Sequence, residues 1–178
     1  MNVLVASASR HGATQGIAER IGERLQAAGL EVEVRPAADA GELAGYDAFV
    51  VGSAVYMFHW LKDGAKFVRR NRAALAARPV WLFSSGPLGT DLVDQDGRDV
   101  REAAQAKETG ELCEAVGARD HAMFFGAWQK GKPVGLAERF VTMMPAARDA
   151  MPVGDFRDWD AIDAWADGIA AELAAPPE

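Results

Sequence analysis

The chain has 178 residues, of which 49% are hydrophobic and 25% are charged, and its formal net charge is −7 at pH 7. This length suits one compact domain over residues 1–178, and the apolar content excludes a disordered chain. The acidic balance argues against nucleic acid as a partner, because that binding depends on clustered Lys and Arg side chains.

The first part of the chain alternates between strand and helix patterns. Residues 3–6 are an apolar run that continues into Ser and Gly residues, as a buried strand would. Apolar side chains at four-residue spacing then predict a helix over residues 17–28, which Gly29 ends. Residues 30–36 alternate apolar and charged side chains, which is typical of a half-buried strand.

The alternation continues to the carboxyl terminus. Further strands are predicted at residues 46–55, 79–83 and 121–128, and further helices at residues 61–75 and in the second half of the polar stretch 90–117. An apolar stripe predicts a last helix over residues 159–173, with Asp155 or Asp158 as its N-cap.

Five alternations of strand and helix predict a parallel sheet with helices on both faces. In such sheets a ligand binds at the carboxyl ends of the strands, where the strand order reverses. Three of the predicted strands end in Ser/Gly turns, after residues 6, 52 and 83. We therefore expect a binding site formed by these three turns.

The first of these turns, residues 9–14, has the composition of an anion site. Backbone N–H groups followed by a helix amino terminus attract a phosphate, and Gly12 allows close approach. The hydroxyls of Ser9 and Thr14 can donate to phosphate oxygens, and Arg10 and His11 can add positive charge. The alternative is a Ser-type turn that only caps the helix.

Two other phosphate motifs are excluded. No Lys follows Gly12 or Gly16 in the manner of a P-loop. The dinucleotide fingerprint fails because Ser7 and Ser9 stand where glycines are needed, and the second strand ends without the acid that would hold a ribose. A monophosphate fits the turn better.

The S-x-x-G-x-T turn resembles the FMN-phosphate loop of the flavodoxin family. Residues 50–71, "VVGSAVYMFHWLKDGAKFVRRN", and residues 126–173 are similar to its menaquinone-dependent protoporphyrinogen oxidase-like branch. The resemblance implies a flavodoxin-like doubly wound five-stranded parallel sheet of order 2-1-3-4-5, with helices on both faces and FMN as the cofactor.

The resemblance also implies which residues bind FMN. Three loops carry them: the phosphate loop, the loop along the flavin ring and the loop on the other side of the ring. These are, respectively, Ser9, Arg10, His11, Gly12, Ala13 and Thr14; Ser53, Ala54, Val55, Tyr56 and Met57; and Ser84, Ser85, Gly86 and Pro87. The third loop lacks the aromatic residue that simple electron carriers often place against the ring.

The resemblance implies an FMN-dependent oxidoreductase or electron-transfer protein. Its partners would be a redox partner protein, or a quinone or porphyrinogen-like small molecule in an oxidation of the protoporphyrinogen type. Two alternatives stay open: a flavodoxin-fold module that binds another protein without flavin, and a site for a deazaflavin-type ligand. The five Trp residues leave room for a homodimer.

The remaining features favour a cytoplasmic protein without a metal or a nucleophile. No apolar run could span a bilayer and no cationic leader precedes the first strand. The basic residues 62–72 read as a solvated helix face, with membrane-surface contact as the alternative. The low positive charge of residues 136–151 argues against membrane docking. Met143 and Met144 are expected to serve packing, with contact to a substrate or a quinone as the alternative. Cys113 is expected to be a structural thiol.

Overall fold

The computed structural model describes residues 1–128 and 152–175. Its strands are β1 (Asn2–Ala8), β2 (Glu31–Pro36), β3 (Ala48–Tyr56), β4 (His59–Trp60), β5 (Val80–Ser85), β6 (Asp120–Phe124), β7 (Ala127–Trp128) and β8 (Gly154–Asp155). Its helices are α1 (Ala13–Ala27), a 3₁₀ turn (Ala37–Asp39), α2 (Lys62–Arg70), α3 (Arg72–Ala76), α4 (Val100–Ala103), α5 (Thr109–Val116) and α6 (Trp159–Ala174).

The central sheet has the predicted order. Its long strands lie side by side as β2-β1-β3-β5-β6, and every neighbouring pair is parallel. The predicted fourth and fifth strands are β5 and β6, because the short strand β4 enters the count as an antiparallel addition to β3. The prediction of a doubly wound α/β fold is confirmed.

Side chains of β1 alternate between two cores, as the period of a strand requires. Val3 and Val5 pack on one face of the sheet with side chains of α1 and α6. Leu4 and Ala6 pack on the other face with side chains of α2, α3 and α5. Because β1 is buried on both faces, its sequence is a continuous apolar run rather than an alternating one.

Two helix ends follow the predicted chemistry. Gly29 has a φ of 89° after the last turn of α1, and its N–H donates to the carbonyl of Gln26 while that of Leu30 donates to Leu25. This pair of bonds is the Schellman arrangement, which favours glycine. At the start of α6 the carboxylate of Asp158 accepts from the N–H of Ala161, so Asp158 rather than Asp155 is the N-cap.

Two of the predicted elements are wrong in extent. The helix predicted over residues 61–75 breaks at Asn71, whose side-chain amide donates to the carbonyl of Phe67 at 2.9 Å and so competes with the helical pattern. The strand predicted over residues 121–128 leaves the sheet after Phe124, and residues 127–128 pair with β8 instead.

The predicted ends of the site strands are also wrong. The strands β1, β3 and β5 continue to Ala8, Tyr56 and Ser85 rather than stopping after residues 6, 52 and 83. Small and hydroxylated residues can belong to a strand when neighbouring strands satisfy the hydrogen bonds of their backbone. Ser53, for example, pairs with Ala8 on one side and Ser84 on the other. The loops that form the candidate site therefore begin later than predicted.

Candidate functional site

The carboxyl ends of β1, β3 and β5 meet at one edge of the sheet, and small residues bring them together. A Cβ on Gly64, in the first turn of α2, would lie 3.0 Å from the Ser53 side chain and 3.2 Å from Cβ of Ala8. A Cβ on Gly86 would lie 3.2 Å from Cβ of Val55. The three predicted loops are therefore neighbours in the folded chain.

The first loop leaves the amino end of α1 open. Gly12 occupies the N-cap with a φ of 88°, it makes no side-chain cap bond, and the first turn of the helix contains no acidic residue. The loop is closed by the N–H of Gly12, which donates to Oγ of Ser9 at 3.0 Å. Thr14 is buried in this first turn, whereas Gly12 is exposed. Amide groups at such an end attract an anion.

Aromatic and cationic groups connect the first two loops. The guanidinium of Arg10 lies 4.8 Å from the ring centre of Tyr56. The ring of His11 lies edge-on to Tyr56 at 6.4 Å and to Trp128 at 5.2 Å. The structure thus unites residues predicted from separate loops, and it adds Trp128, which the sequence did not indicate.

The loop after β3 is a tight hairpin with a strained tip. Tyr56 pairs with His59, so that Met57 and Phe58 form a two-residue turn, and both have positive φ, 51° and 61°. Such turns normally use Asn or Gly, and a bulky residue in this conformation costs about 1 kcal/mol or more. Both side chains are exposed, Met57 by 83% and Phe58 by 54%. Exposed apolar groups held in strain are typical of functional contacts.

A partly buried carboxylate holds this hairpin in place. Glu108 accepts from the backbone N–H of Trp60 at 2.9 Å, and its other oxygen lies 3.0 Å from Nδ1 of His59. Burial tends to raise the pKa of the Glu108 carboxyl, but hydrogen bonds from its own backbone N–H, from His59 and from Trp60 outweigh burial and lower it. The N–H of Lys107 adds a bond to the carbonyl of Phe58.

A second anchor runs through the core. The indole N–H of Trp60 donates to Oγ of Ser84 at 2.8 Å, and that oxygen lies 2.9 Å from Nε2 of His121. Burial lowers the pKa of His121, although Asp120 acts in the opposite direction, so the neutral ring can accept a hydrogen bond from the hydroxyl of Ser84. This chain of bonds joins the hairpin to β5 and β6.

Several of the predicted site residues lie inside the protein. Ser53 is fully buried, and its hydroxyl accepts from the N–H of Leu61 and donates to the carbonyl of Ala54. Ser84 is fully buried and Ser85 almost so. Six of the predicted residues are buried, namely Thr14, Ser53, Ala54, Ser84, Ser85 and Pro87, and the others are partly or fully exposed. Their contact with a cofactor stays a prediction.

A groove of about 1440 Å³ extends from the site along α2. Ser9, Arg10 and Tyr56 line its inner end, and Trp60 and Leu61 contribute to its walls. Its other lining residues come from α2, where Ala65 is buried and the charged residues are exposed, and from the contacts that hold the hairpin: His59, Lys62, Asp63, Ala65, Lys66, Arg69, Arg70 and Glu108. None of the cations of α2 was predicted from the sequence to lie near the site.

Other chemistries find no support in the described residues. Within residues 1–128 and 152–175 no group of His, Cys, Asp or Glu side chains could hold a metal ion, and each helix is too short or too polar to cross a membrane. Cys113 is half-buried, and burial raises the pKa of its thiol, as expected of a structural cysteine. The predictions for Met143, Met144 and residues 136–151 lie outside the described residues.

Comparison with known proteins agrees with this architecture. The pattern of the family described as Flavodoxin domain matches residues 4–141. No curated protein sequence matches the chain. Among solved structures, a cysteine-to-serine mutant of a Pseudomonas aeruginosa flavodoxin has a TM-score of 0.59 and 21% identity, over 98% of this chain and 100% of that one.

Two further structures show the same likeness. A flavodoxin from the domain Archaea has a TM-score of 0.61 and 18% identity, over 98% of this chain and 100% of its own. Rubredoxin oxygen:oxidoreductase from Desulfovibrio gigas has a TM-score of 0.58 and 16% identity, and 37% of its chain covers 98% of this one. At these low identities the structural likeness shows the fold alone.

Proposed function

Since this chain belongs to the flavodoxin family, whose cofactor is FMN, we propose that it holds FMN between the loops that follow β1, β3 and β5 and transfers electrons through it. The protoporphyrinogen oxidase-like branch is a narrower assignment, which the comparisons do not support. One domain over residues 1–178 is part of the proposal.

The open amino end of α1 is the observation that supports the proposal most strongly. A dianionic phosphate needs several N–H donors and a favourable field, and the first turn of α1 offers both without a competing carboxylate. The Ser9 hydroxyl shapes the loop through its bond to Gly12, and the cation of Arg10, from the same loop, lies 4.8 Å from the ring centre of Tyr56. The residues present therefore fit a phosphate.

The neighbouring loops fit a flat aromatic ring. Tyr56, Met57 and Trp128 bring large polarizable side chains to the edge of the sheet. Because Gly86 has no side chain, the third loop can pack closely against Val55. When bound, FMN supplies the electron-transfer chemistry, and the chain binds it, orients it and limits its contact with water.

The hairpin is the element that we expect to position the ring. Glu108 and Ser84 hold Trp60 from two sides, so the strained tip at Met57 and Phe58 has a defined place. Rigid support of this kind reduces the ordering that binding would otherwise require.

A spectrum of the purified protein tests the proposal. We expect the absorbance bands of oxidised flavin, loss of the bound flavin on denaturation and filtration, and the mass of FMN in the filtrate. Ser9→Ala removes one hydrogen bond in the loop and should weaken FMN binding by a factor of about five, from about 1 kcal/mol per bond. Protein that neither carries nor takes up FMN would contradict the proposal and favour the flavin-free binding module, and another mass would favour a deazaflavin-type ligand.

Turnover assays then test the narrower assignment to the protoporphyrinogen oxidase-like branch. Oxidation of a porphyrinogen with a quinone as acceptor is supported by the resemblance of residues 50–71, and a panel of quinones tests it. Activity with protein acceptors alone would favour the simpler role of electron carrier.

A further inference from the structure

The groove along α2 carries a concentration of positive charge in an acidic chain. Four cations of α2, Lys62, Lys66, Arg69 and Arg70, line it together with Arg10, against the two carboxylates of Asp63 and Glu108. The whole chain has a formal net charge of −7. The charge of this face is thus opposite in sign to that of the molecule.

The helix itself does not account for these cations. Arg69 and Arg70 lie in the last turn of α2, where positive charge favours the helix dipole. Lys62 is the first residue of α2 and Lys66 is its middle residue, so the helix dipole offers neither of them stabilisation.

Most of this charge is available to a partner. Within residues 1–128 and 152–175, no carboxylate lies within ion-pair distance of Lys62, Lys66 or Arg70, and all three side chains are exposed. Arg69 pairs with Glu111, but the two side chains are 50% and 63% exposed, so this pair is weak and exchangeable.

The groove reaches the proposed cofactor site. Ser9, Arg10 and Tyr56 line both, and the exposed tip at Met57 and Phe58 belongs to the same hairpin as the groove residues His59 and Trp60. Exposed apolar side chains at the tip, beside the cations of the groove, favour a protein surface as the occupant.

We propose that this groove docks an electron-transfer protein with an acidic face around its redox centre. The proposal rests on the proposed function, since the partner's electron passes to FMN. In the docked pair one electron leaves the partner, which is oxidised, and enters FMN, which is reduced. The cations steer and orient the partner, while the apolar tip supplies contact area.

The first test measures the rate of FMN reduction by a reduced plant-type ferredoxin, an acidic protein, under anaerobic stopped-flow conditions. For the wild-type protein we expect the second-order rate constant to fall as salt is added, because salt screens an attraction. Lys66→Glu/Arg70→Glu should lower the rate constant at low salt about tenfold or more. The flavin content of each variant is checked first by absorbance.

Single variants provide the matched control. Lys66→Glu and Arg78→Glu change the net charge equally, and Arg78 is exposed at the opposite edge of the sheet, just before β5. We expect a several-fold slower rate for Lys66→Glu and almost no change for Arg78→Glu. Equal rates in the two variants, or a wild-type rate that rises with salt, would overturn the proposal.

Two further measurements separate the remaining explanations. Calorimetric titration of cofactor-free protein with ferredoxin measures docking independently of FMN, so binding that charge reversal weakens supports the proposal even if FMN uptake fails. Sedimentation with phosphatidylserine vesicles tests a membrane instead. Vesicle binding that Lys66→Glu abolishes, together with unchanged ferredoxin rates, would assign this face to a membrane and refute protein docking.

Discussion

Gly12→Ala tests the phosphate loop most directly, because α1 has a matched glycine at each end. Gly12 precedes the helix with a φ of 88°, and Gly29 follows it with a φ of 89°. No atom lies within 4 Å of a Cβ built on Gly29. The two substitutions therefore impose nearly the same backbone strain, one at the proposed phosphate site and one at the far end of the helix.

The magnitude follows from the backbone conformation. An alanine in the left-handed region costs about 1–2 kcal/mol in the folded state. The same substitution makes the unfolded chain less flexible, which favours folding and offsets about 0.4–1 kcal/mol of that cost. We expect each variant to lose about 1 kcal/mol of unfolding free energy. At Gly12 the loop can relieve the strain by reorienting its backbone N–H groups away from the phosphate. A resulting loss of about 1.4 kcal/mol in binding free energy would weaken FMN binding about tenfold.

Two assays on both variants separate the effects. Urea unfolding of the cofactor-free protein gives the stability, and quenching of FMN fluorescence during titration gives the affinity. Weaker FMN binding in Gly12→Ala alone is the expected result. Equal affinity in Gly12→Ala, Gly29→Ala and the wild type would show that the phosphate is not bound at this end of α1.

Two other predictions concern stability. Gly52→Ala would place a Cβ 2.0 Å from Cζ of the buried ring of Phe83, so we expect the free energy of unfolding in urea to fall by about 1–3 kcal/mol or more. Gly168→Ala, in open space on α6, should raise it by about 0.5–1 kcal/mol. Similar stabilities of the two variants would refute the packing argument. Burial lowers the pKa of His121 below its ordinary 6.5, so the unfolded chain binds the extra proton first and stability should fall as the pH drops through 6.5, levelling once the folded ring is protonated too. Unfolding titrations between about pH 8 and pH 5 should show this slope in the wild type and a smaller one in His121→Gln, and identical slopes would exclude His121 as its source.

The local sequence pattern was sufficient to predict the long strands of the sheet, the helix α1 and the position of the first loop. Continuous apolar runs predicted the strands because β1, β3 and β5 are buried on both faces, and the four-residue stripe predicted α1 because only one side of it meets the sheet. Gly29 was recognisable because it ends the periodic segment of α1, and Gly12 because it lies in the Ser/Gly turn that precedes this helix; both have the positive φ that favours glycine. The choice of FMN came from resemblance to a family.

Element lengths were decided by tertiary contacts. Ser53 and Ser84 look like loop residues in the sequence, but neighbouring strands pair with their backbone and keep them in the sheet. The pairing of Trp128 with β8 depends on a segment more than twenty residues away, which no local period can indicate.

The sequence by itself determined that this chain forms alternating strands and helices, with a Ser/Gly turn before α1 whose composition suits an anion. Burial on one or two faces and the requirements of a helix end depend on residues that are close together in the chain. Only the tertiary structure decided that Trp128 meets His11, that Glu108 and Ser84 hold Trp60, and that the cations of α2 open onto the site. Those contacts join residues far apart in the chain, and they form only when the parallel strands bring their carboxyl ends to one edge.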